Sequence, residues 1–163
     1  MLTLSSQASG VAGIRQTLST MARLANQALL DPALRDQAAA AIAGCPKGNL
    51  PCYMYACLSW TNRQVRYVPD PNGIETVHDP RIIAAGIKAR TQVYGDCDDL
   101  STYLGALLKT IGLAPSFRAV GYNGRPFSHV YVVCGGLHLD PCRDAWTVTL
   151  RPYAETSSIE QVV

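Results

Sequence analysis

The sequence predicts an α+β fold, with helices in the first two thirds of the chain and strands in the last third. Apolar residues recur at helical spacing up to about residue 111. Short β-rich runs follow, separated by Asn-Gly and Gly-Gly pairs that are typical of tight turns. The chain of 163 residues is 48% hydrophobic and 16% charged, which suits one globular domain with a packed core.

The composition argues against several classes of function. A net charge of +2 gives no electrostatic basis for binding nucleic acid, so we expect no such partner. No apolar run approaches the length of a membrane span. The first residues lack a basic region followed by an apolar block, so we expect no signal peptide and a cytoplasmic location at synthesis.

Residues 1–46 are expected to form a helical extension. Its first helix has apolar residues three or four positions apart: Val11, Ile14, Leu18, Met21, Ala25 and Ala28. Asp31 and Pro32 fit the N-cap and first position of a second helix, which should end near Gly44. Neither helix has a pattern that indicates chemistry, so the extension should pack on the rest of the chain or dock a partner.

Residues 47–151 are expected to form the core of the fold. A third helix is predicted over about 51–62, a short extended piece at 65–68, and a tight turn at 70–73. Asp79 and Pro80 again fit a helix start, and this fourth helix should end by about residue 90.

The motif Gly-Asp-Cys-Asp-Asp at residues 95–99 stands at the start of a strong amphipathic helix. The apolar stripe of that helix consists of Leu100, Tyr103, Leu104, Leu107, Leu108 and Ile111. Cys97 falls on the same inward face, at the helix N-terminus. A thiol in this position could be a nucleophile or an inert core cysteine, and the motif alone leaves both open.

The last third of the chain is predicted to be a small sheet. Strands are expected at 117–122, 128–134 and 137–140, with a fourth at 146–150. Residues 152–163 are expected to be a C-terminal surface tail.

Nucleophilic catalysis by cysteine needs a base within hydrogen-bond reach and a third group that orients the base. Strand alternation places His129 on one face of an otherwise apolar strand. If that strand pairs with the next through the Gly-Gly turn, Asp140 can lie beside His129. Cys97, His129 and Asp140 are therefore the predicted catalytic residues.

Electrostatics indicates what could activate Cys97. A helix N-terminus contributes about 0.3–1 kcal/mol, whereas an imidazolium about 4 Å away contributes about 4 kcal/mol at an effective dielectric near 20. Asp96, Asp98 and Asp99 should oppose the thiolate. We interpret them as capping residues that point outward, so activation should depend on His129.

Two other histidines are weaker candidates. His138 should lie on the same strand face as Asp140 and is a rival base, although it lacks the apolar strand that follows His129. His78, beside Asp79 and Pro80, is expected to be a surface residue at a helix start.

No metal or cofactor is predicted. Asp70, Asn72 and Glu75 lack the spacing of an EF-hand loop, and Cys45, Cys52 and Cys57 do not match a zinc motif. Most of the six cysteines are expected to be free thiols, although a Cys45–Cys52 or Cys134–Cys142 disulfide is compatible with the sequence.

Four segments together resemble the transglutaminase-like cysteine protease superfamily. They are Gly95-Asp96-Cys97-Asp98-Asp99, Leu107-Leu108 with Ile111-Gly112-Leu113, Phe127-Ser128-His129-Val130-Tyr131 and Leu139-Asp140-Pro141. The resemblance covers about residues 50–145 and is closest to small versions from bacteriophages and their bacterial hosts. It implies a papain-like core, in which a cysteine-bearing helix packs on a small antiparallel sheet, with a Cys-His-Asp triad.

The resemblance also implies a function. It indicates a thiol hydrolase or acyltransferase that acts on peptide or isopeptide amide bonds, with a protein, a peptide or peptidoglycan as substrate. The Cys97 N–H should stabilise the oxyanion, with Gln92 or Tyr94 as the second donor.

Two alternatives stay open. One is a non-catalytic structural component of a phage particle, docked through the N-terminal helices and associated with the virion. The other is a binding module held together by disulfides or a metal.

Overall fold

The computed structural model describes residues 10–71, 76–122, 126–142 and 155–163. In these residues the chain is α+β, with five helices and two small sheets. The helices are α1 (Val11–Gln27), α2 (Pro32–Ile42), α3 (Leu50–Gln64), α4 (Pro80–Lys88) and α5 (Cys97–Thr110). The strands are β1 (Val65–Tyr67), β2 (Val93–Gly95), β3 (Ser116–Tyr122), β4 (His129–Cys134), β5 (Leu137–Leu139) and β6 (Glu155–Val162).

Two of the predicted helix starts are confirmed by their capping hydrogen bonds. The Asp31 carboxylate accepts from the backbone N–H of Leu34, and the Asp79 carboxylate accepts from that of Arg81. In both helices the residue after the cap is proline, whose missing N–H would have no partner in the first turn.

The larger sheet is antiparallel with the strand order β5-β4-β3-β6, and β1 and β2 form a separate parallel pair. The expectation of a surface tail is wrong for residues 155–162, because they pair with β3 along its whole length. The Arg118–Glu160 ion pair, 3.3 Å, lies on this pairing. The buried Val163 donates its N–H to the carbonyl of Pro115. The predicted strand at 146–150 lies outside the described residues.

Helix α5 lies at the centre of the core. Its inward side chains, including Leu100, Tyr103 and Leu104, are at most 1% exposed. The Tyr103 hydroxyl accepts from Trp60 of α3 and donates to Gln37 of α2. This buried chain of hydrogen bonds joins the N-terminal helices to the rest of the molecule, and both share one hydrophobic core.

A close contact fixes the packing of α5 on the sheet. A Cβ atom added at Gly105 would lie 2.7 Å from the ring of the fully buried Phe117 in β3. Glycine is therefore needed at this position for the helix to approach the strand.

One disulfide joins the loop after α2 to the first turn of α3. It links Cys45 and Cys52, while Cys57, Cys97, Cys134 and Cys142 are not in disulfides. Of the two disulfides compatible with the sequence, the structure contains this one. In the described part of the chain, no helix combines the length and the apolar character that a membrane crossing requires.

Candidate active site

Cys97 is the first residue of α5 and is partly buried. The Asp96 carboxylate caps the helix and accepts from the N–H of Asp98, 3.2 Å. The Asp99 carboxylate completes a capping box by accepting from the N–H of Asp96. Gly95 allows this geometry, because a Cβ there would lie 2.7 Å from the Cβ of Asp99. The predicted capping role of these aspartates is thus confirmed for Asp96 and Asp99.

The expectation that all three aspartates point outward is wrong, because Asp98 and Asp99 are buried. His78 explains the burial of Asp99. Its backbone N–H and its ring Nδ1 contact the two Asp99 carboxylate oxygens, each at 2.6 Å. His78, expected on the surface, is instead partly buried and ties the segment before α4 to the first turn of α5. The hydrogen bond to Asp99 raises the pKa of His78, although burial acts in the opposite direction.

His129 is the first residue of β4, and its ring Nε2 lies 2.8 Å from Asp140 Oδ2. The pairing of Val132 with Leu139 brings Asp140 beside His129, as predicted. Asp140 is 2% exposed, and its other oxygen accepts from the N–H of Cys142, 3.0 Å. Because a carboxylate accepts the Nε2 hydrogen, Nδ1 is the ring nitrogen that can take up a proton.

Cys97 and His129 line the same cavity, which has a volume of about 340 Å³. The hydroxyl of Ser101 in α5 donates to the carbonyl of Val130 in β4, 3.2 Å, and so joins the helix that bears the thiol to the strand that bears the imidazole. Asp140 does not line the cavity; it contacts His129 from the interior. The structure therefore brings together the three residues that the sequence predicted.

One wall of this cavity comes from α1. The α1 residues that line the cavity are Ile14, Thr17, Leu18 and Met21. The sequence showed the apolar spacing of this helix but gave no sign that it borders the thiol. Helix α1 thus shapes the site as well as the core.

The charges around the cavity are mainly negative. Asp70, Asp96 and Asp98 line it, and the described part of the lining contains no lysine or arginine. Carboxylates disfavour a thiolate, and among the described lining side chains His129 can supply a compensating positive charge.

Two residues at or behind the cavity were missed from the sequence. Tyr67, at the end of β1, lines the cavity, and its pKa is raised by burial and then by the nearby Cys97.

Cys142 lies beyond Asp140, with its sulfur within 4.8 Å of ligand atoms of both His129 and Asp140. Burial, followed by the Asp140 carboxylate, raises the pKa of Cys142, so this thiol stays protonated at neutral pH. The sequence signal that could have identified Cys142 is its position two residues after the predicted catalytic residue Asp140.

The other predicted site residues lie elsewhere. Gln92 donates to the carbonyl of Val93, and Tyr94 is half exposed because β2 pairs with β1 and leaves this side chain in solvent. Neither lines the cavity, so we assign them no oxyanion role. The rival base His138 is buried, and its Nδ1 lies 2.8 Å from the Tyr131 hydroxyl, away from the cavity lining.

Comparison of the chain with protein-family models, with curated proteins and with solved structures finds no match.

Proposed function

We propose that this protein is a thiol-dependent hydrolase or acyltransferase that acts on peptide or isopeptide amide bonds. The observation that supports this most strongly is the pairing of His129 with the buried Asp140 on a cavity that also exposes Cys97. A helix bearing the thiol at its first residue and a small antiparallel sheet bearing the base are compatible with a papain-like or transglutaminase-like core.

The proposed chemistry begins when His129 Nδ1 takes the thiol proton of Cys97. The sulfur attacks the amide carbonyl carbon, the C–N bond breaks, and His129 returns the proton to the leaving amine. Water, or a second amine, then attacks the thioester and gives a proton to His129. Release of the acyl group returns that proton to the Cys97 sulfur, and Asp140 keeps the imidazole oriented throughout.

Two donors could stabilise the negative charge on the carbonyl oxygen. The backbone N–H of Cys97 is at the N-terminus of α5, where amides point toward an anion. Tyr67 supplies a hydroxyl on the same cavity and replaces Gln92 and Tyr94 as our candidate for the second donor.

The proposed substrate is a protein, a peptide or the peptide part of peptidoglycan. Its acyl side would enter between α1 and the 67–71 segment, both of which line the cavity. The N-terminal helices are the proposed docking element for a larger partner, since α1 already forms one wall.

A non-catalytic structural role in a phage particle is the second candidate. The three aspartates on the cavity favour it, because they act against thiolate formation. Fold alone does not decide between the two roles.

The test uses the wild-type chain and a Cys97→Ala variant. Each is incubated with defined peptides, and separately with peptidoglycan fragments, in the presence and absence of a labelled primary amine. We expect wild-type protein to release new amines or to incorporate the label, and Cys97→Ala to do neither. Equal turnover by both proteins would exclude Cys97 as the nucleophile, and no turnover with either substrate class would favour the structural role.

A further inference from the structure

Three different metal-ligating side chains converge behind the proposed catalytic cavity. The ligand atoms of His129, Asp140 and Cys142 all lie within 4.8 Å of one another. They come from β4 and from the segment after β5, which the antiparallel pairing of these strands holds side by side. Among the described residues, the other such group consists of aspartates alone, Asp96, Asp98 and Asp99, and two of these are already used in capping.

We propose that His129, Asp140 and Cys142 form a zinc site, and that zinc bound there withdraws His129 from its role as a base. The first half of the proposal, that the three residues bind zinc, is inferred from the geometry of the cluster. The second half rests on the proposed function, because it assumes that His129 serves Cys97.

The donor set identifies the class of metal. Imidazole nitrogen, carboxylate oxygen and thiolate sulfur are the ligands of zinc, whereas magnesium and calcium take oxygen ligands and avoid thiolate. Three protein ligands would leave one tetrahedral position for water.

The distances require only small movements. Zinc bonds of about 2.0–2.3 Å place tetrahedral ligands about 3.2–3.6 Å apart. The His129 Nε2 and Asp140 Oδ2 atoms, now 2.8 Å apart, would separate slightly. The sulfur of Cys142, within 4.8 Å of one ring nitrogen of His129 and one carboxylate oxygen of Asp140, would approach the other two ligands by about 1 Å.

The surroundings of Asp140 already resemble those of a metal ligand. One carboxylate oxygen faces His129 while the other accepts the N–H of Cys142. Such hydrogen bonds to a ligating carboxylate fix its orientation in metal sites.

Binding would replace protons rather than transfer electrons. The thiol hydrogen of Cys142 would pass to solvent as zinc takes its place, while the single ring hydrogen of neutral His129 would move from Nε2 to Nδ1, so that the Nε2 lone pair bonds the metal. With Nε2 on the metal, the ring can no longer form the imidazolium that stabilises the Cys97 thiolate.

Cobalt(II) provides a direct probe, because a thiolate ligand gives it an intense near-ultraviolet charge-transfer band that does not depend on enzyme activity. The full chain is titrated with Co²⁺ and then with Zn²⁺ as competitor. We expect one equivalent of Co²⁺ to produce the band and one equivalent of Zn²⁺ to remove it.

Variants identify the ligands. Cys142→Ser should abolish the band, and its zinc affinity should fall by more than the roughly 10–100-fold that loss of a supporting residue causes. Cys134→Ala, which changes a buried thiol outside the cluster, should keep the band. If Cys142→Ser fails to fold, as judged by circular dichroism, His129→Ala provides the same comparison through a shifted band and weaker binding.

The outcomes separate the two halves of the proposal. Absence of the band in wild-type protein, or an equal band in Cys142→Ser, overturns the metal site whatever the protein catalyses. If the band appears but zinc leaves the labelling rate of Cys97 unchanged, the site stands and its inhibitory role is wrong.

Discussion

His129 Nε2 lies 2.8 Å from Asp140 Oδ2, and Asp140 is almost completely buried. A buried carboxylate with this contact fixes both the orientation and the tautomer of the imidazole. Asp140 is not among the residues that line the cavity, and it contacts one that is, His129.

Replacing Asp140 should therefore lower the reactivity of Cys97 through a change at His129. In Asp140→Ala the imidazole loses its acceptor, and we expect the labelling rate of Cys97 by a thiol reagent to fall about 10²-fold. Asp140→Asn keeps the shape of the side chain, but its amide can present an N–H to Nε2 and favour the wrong tautomer, so we expect a loss of similar size. Labelling of Cys97 at the wild-type rate in both variants, measured by mass spectrometry of the labelled peptide, would contradict an orienting role.

The His78–Asp99 pair should make stability depend on pH. The hydrogen bond to Asp99 raises the pKa of His78 above its unfolded value, so the protonated form is favoured in the folded state. This contribution is fully present below the unfolded pKa of about 6.5 and is lost as the pH rises through the higher folded value.

Urea denaturation at a series of pH values measures this effect. The free energy of unfolding of wild-type protein should fall relative to that of His78→Gln as the pH rises above about 6.5. Arg81→Gln, which changes an exposed residue that contacts Asp79, is the matched control. A difference between wild type and His78→Gln that stays constant with pH would disprove the pairing.

Gly105 should not tolerate a side chain. A methyl group at this position would meet the Phe117 ring at 2.7 Å, and Phe117 is enclosed on all sides. Gly105→Ala should lower the free energy of unfolding by about 1–3 kcal/mol. Gly44→Ala, where nothing lies within 4 Å, should change it by about 0.5 kcal/mol or less in the same denaturation experiment.

The Cys45–Cys52 disulfide predicts a thiol count. Denatured, unreduced protein should have four reactive thiols, and reduction should raise the number to the six that the sequence contains. Cys45→Ser should lower the free energy of unfolding by about 2–3 kcal/mol, as expected for so short a loop. A count of six before reduction would contradict the bridge.

The parts of the fold with local signals could be predicted from the sequence. Asp31 and Asp79, each followed by proline, indicated helix starts, and strand alternation with the Gly-Gly turn placed Asp140 beside His129. In each case the deciding contact lies between neighbours in the chain or across one turn.

The parts that were missed depend on contacts between distant residues. Strand β6 contains few apolar residues and is stabilised by pairing with β3, about 40 residues earlier in the chain. The capping pattern alone would place Asp99 in solvent, but His78, 21 residues away, covers it. Likewise, the cavity wall formed by α1 and the position of Cys142 follow from packing that no local pattern encodes.

The reactivity of Cys97 toward iodoacetamide tests the central claim most directly. The folded protein is labelled near pH 6.5, and the rate at each free cysteine is measured by mass spectrometry. Burial raises the pKa of Cys57 to about 12 and also raises the pKa of Cys134, so these two thiols provide internal references.

We expect Cys97 to be labelled fastest, and His129→Ala to slow it about 10–100-fold near pH 6.5 because the thiolate loses its imidazolium. Circular dichroism checks that the variant folds. Labelling of Cys97 at the same rate in wild type and His129→Ala would contradict the account.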